Sequence, residues 1–215
     1  TISMKNALEI EKLYVRRGSF WLKDVNLVIE EEKIHAVTGK SGSGKSTLIR
    51  AVGGAVRPET GCIRYFGKEM YENEREIRKR MSVVYDSPNF NIELKPDGLV
   101  RELCKFESWF DQPRYVQMMS EMELNRQIKV KLYSEGQQRK LMLILALCRK
   151  PELLVMDEAT SGMDRASRAA MWKLIVDYRQ KNSLSVLFTT HHEEELYVAD
   201  RIWQVEDGRI GPSVL

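Results

Sequence analysis

The chain has 215 residues, 43% of them hydrophobic and 30% charged, which is enough to bury the core of one large domain. The net charge of +3 is too small to indicate a nucleic-acid-binding protein, and no apolar run approaches the length of a membrane-spanning helix. The three cysteines, Cys62, Cys104 and Cys148, are widely spaced and predict reduced thiols instead of a disulfide framework, and we expect no signal peptide. Residues 1–3, ahead of Met4, are interpreted as an addition made for expression.

The first predicted elements in chain order are strands. Residues 7–15 and 20–30 alternate apolar and polar side chains, which predicts two half-exposed antiparallel strands. Residues 34–38 predict a short buried strand. A helix is predicted to begin at Lys45 and to end near Gly53.

A glycine-rich loop with the phosphate-binding pattern lies between that strand and that helix. Its glycines let the backbone wrap around a polyphosphate and turn N–H groups toward it. Lys45 supplies a positive charge for the outer phosphates, and the Ser46 hydroxyl is suited to holding Mg²⁺. A flexible Gly/Ser-rich turn is the structural alternative, but the preceding strand and the following helix favour a nucleoside triphosphate site. The predicted binding residues are Gly39, Lys40, Ser41, Gly42, Ser43, Gly44, Lys45, Ser46 and Thr47.

Further elements predict an α/β fold. Strands and helices alternate around the phosphate loop, as in a parallel core sheet. From residue 87 to about residue 132, prolines and a glycine punctuate helical segments, which predicts an inserted helical subdomain. The other predicted elements are helices at 74–80, 135–149, 164–181 and 193–199 and strands at 62–66, 81–85, 153–156, 186–190 and 201–206.

An acidic pair, Asp157 and Glu158, ends the apolar strand at 153–156. An aspartate at a strand's carboxyl end can hold the Mg²⁺ shell, and the adjacent glutamate can orient or deprotonate an attacking water. Acidic residues after strands are common, so the pair alone is weak evidence. Beside a phosphate loop it predicts the second half of a nucleotide site.

Three more segments complete a pattern that resembles a known family. The chain resembles an ABC-type ATPase cassette, the nucleotide-binding subunit of an ATP-binding-cassette transporter, over essentially its whole length. One segment resembles the family signature Leu-Ser-Gly-Gly-Gln, a second the loop that usually reads Ser-Ala-Leu-Asp, and a third the strand end that carries the switch histidine. These segments are Leu132-Tyr133-Ser134-Glu135-Gly136-Gln137-Gln138, Ser161-Gly162-Met163-Asp164 and Thr190-His191.

The resemblance implies the fold of a P-loop NTPase. It implies a mostly parallel core sheet with an N-terminal antiparallel β subdomain and an inserted α-helical subdomain. We therefore expect a single ABC ATPase domain over 1–215, with the core at about 4–86 and 133–215 and the insertion at about 87–132.

The resemblance also implies ATP and Mg²⁺ as ligands and a second cassette, identical or homologous, as a partner. Two cassettes would meet head to tail, and Ser134, Gly136 and Gln137 would contact the γ-phosphate held by the other subunit. His191 would contact the γ-phosphate in its own subunit, although a lone histidine at a strand end is more often structural. Asp164 would bridge the subunits, cap a helix N-terminus, or do both.

Three positions depart from the family pattern. Asp86 stands where the family has a glutamine that touches Mg²⁺, and a carboxylate there could still reach the metal shell beside Ser46 and Asp157. Glu135 replaces a glycine of the signature and would oppose the γ-phosphate if it pointed inward. Arg17 stands where an aromatic residue usually stacks on adenine, and an arginine can also stack on a base plane.

The predicted function is that of an ATP-hydrolysing subunit that powers transport through a separate membrane-spanning subunit. We expect it in the cytoplasm, peripheral to the inner face of the cell membrane, with no nucleic acid partner, and most similar to exporters of drugs, antibiotics or peptides. One alternative is a soluble ABC-type ATPase in DNA maintenance or ribosome-associated work. Another is a small-molecule P-loop kinase, which would leave the signature and His191 without a purpose.

Overall fold

A computed structural model describes residues 5–213, so the three residues ahead of Met4 lie outside the described part of the chain. The N-terminal half contributes an antiparallel sheet with strand order β2-β1-β4-β5. Register shifts interrupt the long β1–β2 pairing, which bends the two strands. The strands are β1 (Asn6–Arg17), β2 (Phe20–Glu30), β4 (Thr60–Tyr65) and β5 (Lys68–Glu69).

The second sheet has six strands in the order β10-β9-β3-β8-β7-β6 and is parallel except for β10. The mostly parallel core sheet predicted from the sequence is therefore present. We predicted no strand after 201–206, but β10 pairs along the edge of β9. The strands are β3 (Ile34–Thr38), β6 (Met81–Val84), β7 (Leu153–Asp157), β8 (Ser185–Thr189), β9 (Arg201–Glu206) and β10 (Arg209–Pro212).

Within residues 5–213, six α-helices flank the sheets. Residues 193–199 were predicted to form a short helix, and the structure has a 3₁₀ helix at Glu193–Val198. A second 3₁₀ turn, Val130–Leu132, precedes the signature. The helices are α1 (Lys45–Val52), α2 (Met70–Arg80), α3 (Pro96–Cys104), α4 (Gln112–Glu121), α5 (Glu135–Cys148) and α6 (Arg165–Lys181).

Two hydrophobic clusters lie on opposite faces of the six-stranded sheet. Leu154 and Met156 of β7 point into a cluster with α5, α6 and the buried residues of segment 87–132. Leu153 and Val155 point into the other cluster, with α1 and the antiparallel sheet, as the alternation of side chains along a strand requires. The assignment of segment 87–132 to a separate subdomain stays a prediction.

The parallel strands bring distant parts of the sequence to one edge. In the pairing of β3, β8 and β7, Thr189 lies opposite both Val37 and Asp157. The segments that follow these strands therefore meet at the carboxyl edge of the sheet, where open α/β sheets bind ligands. No helix within residues 5–213 is long and apolar enough to cross a membrane.

Candidate nucleotide-binding site

The phosphate loop connects β3 to α1 at this edge. Gly44, directly before α1, has a φ of 117°, which a residue with a side chain rarely adopts. A Cβ at Gly44 would also lie 2.8 Å from the Phe20 ring of β2. The residue before α1 must therefore be glycine, and the first N–H groups of the helix are left facing the loop, as an anion site requires.

Lys45 is buried and folds back over the loop. Its Nζ donates to the carbonyl oxygens of Gly39 at 2.7 Å and Lys40 at 3.1 Å. The same amine lies 3.6 Å from a carboxylate oxygen of Glu158. The ammonium charge is thus held at the centre of the loop by backbone oxygens.

Ser46 and Asp157 meet across the sheet edge. The Ser46 hydroxyl donates to Asp157 Oδ1 at 3.2 Å, and the Thr189 hydroxyl donates to the same oxygen at 2.9 Å. Asp157 is fully buried, and its Oδ2 has no hydrogen-bond partner among the described residues. Burial raises the pKa of this carboxyl, the hydrogen bonds from Thr189 and Ser46 lower it in part, and the charges of Asp86 and Glu158 raise it further.

This donor set fits Mg²⁺. A hydroxyl and a carboxylate with a free oxygen are ligands that Mg²⁺ accepts, and it commonly takes the rest of its shell from phosphates and water. Within residues 5–213, no group of three or more acidic, histidine or cysteine side chains is arranged to hold a metal ion by itself. An ion beside Asp157 would therefore depend on the nucleotide for most of its ligands.

Glu158 has an unusual backbone conformation, with a φ of 44°. Its N–H donates to the Thr189 hydroxyl at 2.9 Å. Its carboxylate is part-exposed and lies 3.6 Å from Lys45 Nζ through one oxygen and 3.6 Å from His191 Nδ1 through the other. The sheet thus brings Lys45 and His191, both predicted from the sequence, to ion-pair distance from the Glu158 carboxylate.

His191 follows β8 and is half-exposed, with its ring centroid 4.1 Å from that of His192. Beneath it, the buried Glu195 accepts hydrogen bonds from Thr160 at 2.6 Å, Trp172 at 2.9 Å and Thr190. This carboxylate ties the loop after β7 and the loop after β8 to helix α6. It therefore fixes the two segments that carry Glu158 and His191.

Asp86 follows β6, and its carboxylate lies 4.0 Å from a guanidinium nitrogen of Arg50. No hydrogen bond in the described part of the chain joins Asp86 to Ser46 or Asp157. Its charge nevertheless contributes to the raised pKa of Asp157. Asp86 as a metal ligand stays a prediction.

The signature segment forms the start of α5. Ser134 caps the helix: its hydroxyl accepts from the Gln137 N–H at 3.2 Å, and the Gln137 side chain accepts from the Ser134 N–H at 2.9 Å. Among residues 5–213, no hydrogen bond or ion pair joins Ser134, Gly136 or Gln137 to the phosphate loop of the same chain. Asp164 caps α6 by accepting from the Ser167 N–H at 2.8 Å, as one of its two predicted roles requires.

The fold and the edge of the sheet together define the chain as a P-loop nucleoside triphosphatase. It belongs to the ATP-binding proteins of ABC transporters, which are ATPases coupled to transport: the family model described as ABC transporter matches residues 22–161. The family and the fold predicted from the sequence are thereby confirmed.

Individual relatives agree with this assignment. The chain is 30% identical over 215 residues to the energy-coupling factor transporter ATP-binding protein EcfA1 of Ligilactobacillus salivarius, covering 95% of this chain and 76% of the relative. It is 30% identical over 212 residues to the Fe(3+) ions import ATP-binding protein FbpC 2 of Pectobacterium atrosepticum, covering 91% and 59%. A solved ATP-binding subunit of an ABC transporter superposes with a TM-score of 0.85 at 22% identity, covering 96% of this chain and 90% of the other.

Three residues at the site were not predicted. Thr189 bridges Asp157 and Glu158, Glu195 anchors two loops, and Arg139 donates to the Glu158 carbonyl oxygen at 2.9 Å. Thr189 could have been found from its place at a strand end just before His191. Arg139 and Glu195 give no such signal, because each looks like an ordinary charged residue of a surface helix.

Proposed function

We propose that this chain is an ATP-hydrolysing subunit that drives a separate membrane-spanning transporter subunit. The observation that carries the proposal is the convergence of Lys45, Ser46, Asp157, Glu158 and His191 at one edge of the sheet. This set offers a cation for phosphates, oxygen ligands for a metal and a carboxylate for a water molecule, which together suit phosphoryl transfer to water.

Each residue has a role that its contacts support. The N–H groups of the phosphate loop and the Lys45 amine would bind the β- and γ-phosphates, with Lys45 leaving the carbonyl oxygens of Gly39 and Lys40. Ser46 and Asp157 would hold Mg²⁺, which when bound neutralises phosphate charge. Glu158 would orient the attacking water and accept its proton, and His191 would contact the γ-phosphate from the other side of the Glu158 carboxylate.

A second cassette would complete the site. Ser134, Gly136 and Gln137 lie at a helix N-terminus, where N–H groups and the helix dipole favour an anion. The described contacts do not connect them to their own phosphate loop. Both observations support a role for these residues toward ATP held by another copy of the chain or by a homologue.

A groove supports attachment to a membrane partner. It has a volume of about 370 Å³ and lies between the segment after β6 and helices α3 and α5. Phe90, Leu99, Leu103 and Met142 line it with apolar side chains, and the ion pair of Glu107 with Arg149 also lines it. Such a groove suits an amphipathic segment of a membrane protein. The chain would then act in the cytoplasm at the inner face of the membrane; the exporter subclass stays a prediction, since one relative is named for import.

The experiment is the oligomeric state of the Glu158→Gln variant with and without Mg²⁺ and ATP, measured by size exclusion with light scattering. We expect a shift from monomer to dimer, because slowed hydrolysis traps the ATP-bound pair. Adding Ser134→Arg should abolish the dimer, while the control Glu74→Gln, at an exposed pair on α2, should leave the wild-type behaviour unchanged. A chain that binds no ATP in any of these variants contradicts the proposal.

A further inference from the structure

The peptide groups on both sides of Glu158 are fixed by other parts of the chain. The φ of 44° is a conformation that residues with side chains seldom adopt and that needs support from its surroundings. The N–H of Glu158 is held by Thr189, and its carbonyl oxygen accepts from Arg139 Nη1 at 2.9 Å and from the Ser161 N–H at 3.0 Å. The side chain at this point is therefore aimed by its backbone.

Arg139 is a buried cation with one carboxylate partner in the described part of the chain. It is 7% exposed, and its Nη2 donates to Glu135 Oε1 at 2.8 Å. Its Nε has no partner among the described residues. A buried guanidinium is unfavourable unless it is paired and hydrogen-bonded. Here one terminal nitrogen, Nη1, donates to the Glu158 carbonyl oxygen, and the other, Nη2, donates to the Glu135 carboxylate.

We propose that Arg139 is a positioning residue for Glu158, and that Glu135 anchors Arg139 in that position. This rests on the proposed role of Glu158 toward the attacking water. Loss of the Arg139 hydrogen bond leaves the Ser161 N–H as the remaining described donor to the Glu158 carbonyl oxygen, so the peptide that follows Glu158 is held less firmly. The Glu158 carboxylate then leaves the position it now holds between Lys45 and His191.

Glu135 also connects this support to the signature. It directly follows Ser134, and through Arg139 it is connected to the carbonyl oxygen of Glu158. In the proposed pair of cassettes, the signature faces ATP held by the other chain. The Glu135 carboxylate, which replaces a glycine of the family signature, thus connects the signature that acts at one ATP site to the Glu158 that acts at the other. Its negative charge pairs with Arg139 instead of opposing the phosphate.

The first test is steady-state ATP hydrolysis by Arg139→Gln and Arg139→Lys. We expect kcat to fall about 10- to 100-fold in Arg139→Gln, since a displacement of about 1 Å costs on this order, and to recover in part in Arg139→Lys. ATP affinity, measured by equilibrium binding without Mg²⁺, should stay within about twofold of wild type. The control Lys173→Gln removes an exposed pair with the same spacing on α6 and should change neither quantity.

A double variant separates positioning from general damage. If Arg139 acts through Glu158, then Arg139→Gln should lower the residual activity of Glu158→Gln by less than about twofold, because the two losses are not additive. If Arg139→Gln lowers kcat as strongly in the Glu158→Gln variant as in wild type, or if ATP affinity falls in step with kcat, the assignment is overturned. So does an Arg139→Gln variant with wild-type kcat.

Variants of Glu135 test whether this residue anchors Arg139, while the buried guanidinium itself stays in place. Glu135→Gln keeps an acceptor for Arg139 Nη2 and should retain most of the activity, whereas Glu135→Gly should lower kcat. A rise in kcat in both variants overturns the anchor, since it means that the carboxylate opposes the phosphate. A wild-type chain that binds ATP but never hydrolyses it, alone or with its membrane partner, overturns the proposed function and this inference together.

Discussion

The Thr189 hydroxyl contacts both acidic residues of the site, so one substitution there perturbs both. It is buried, accepts the Glu158 N–H at 2.9 Å and donates to Asp157 Oδ1 at 2.9 Å. Thr189→Val keeps the shape of the side chain and replaces the hydroxyl by a methyl group. The Glu158 N–H then loses its acceptor, and the Asp157 carboxylate loses one of its donors.

The magnitude follows from these two hydrogen bonds. A buried donor left without a partner costs about 1–3 kcal/mol, and a hydrogen bond to a charged group contributes about 1.5–3 kcal/mol. Taking the lower part of both ranges, because the new methyl group is itself buried, the free energy of unfolding should fall by about 3 kcal/mol. In a domain of this size that corresponds to a decrease in Tm of about 6–12 °C.

The assay is thermal unfolding of the nucleotide-free chain, with Thr189→Ser as the matched control. Serine keeps the hydroxyl and removes only a buried methyl group, so it should cost about 1 kcal/mol. A Thr189→Val variant as stable as Thr189→Ser would refute the reasoning, because the hydroxyl would then contribute nothing that its hydrogen bonds imply.

Three further changes have defined outcomes. Burial raises the folded-state pKa of Asp157, so its ionised form destabilises the nucleotide-free fold above that pKa. Asp157→Asn should therefore raise Tm at about pH 8, and this gain in Tm should shrink as the pH falls through the folded-state pKa. The same variant should lose ATPase activity. Glu195→Gln places an amide donor among three hydrogen-bond donors and should lower the free energy of unfolding by about 1–3 kcal/mol in chemical denaturation. Leu103→Asp, in the apolar groove, should abolish co-purification with the membrane partner and leave the ATPase activity of the isolated chain unchanged.

The sequence predicted the parts of the site that are local. The phosphate loop is a continuous segment whose spacing, glycines and flanking elements all indicate what it binds, so Lys45 and Ser46 could be predicted without a structure. Asp157 was predicted because it ends a strand that is apolar enough to recognise, whereas the role of His191 was predicted from the family resemblance. The family resemblance then arranged these separate segments in one fold.

The rest depends on contacts that no local pattern encodes. Arg139 lies 19 residues before the carbonyl oxygen that it holds, and the β3-β8-β7 strand order is what sets Thr189 beside Asp157. The strand β10 was missed because its short segment ends in Gly211-Pro212 and forms only against the available edge of β9. Tertiary pairing, not propensity, decides each of these features.

The phosphate loop is held by hydrogen bonds from one of its own side chains. Lys45 Nζ donates to the carbonyl oxygens of Gly39 and Lys40, so the amine at the start of α1 ties the beginning of the loop to its end. In the proposed site, oxygens of a polyphosphate would replace these two carbonyl oxygens as acceptors for the same amine. Such an exchange would need little ordering of the chain, so little conformational entropy would be lost on binding.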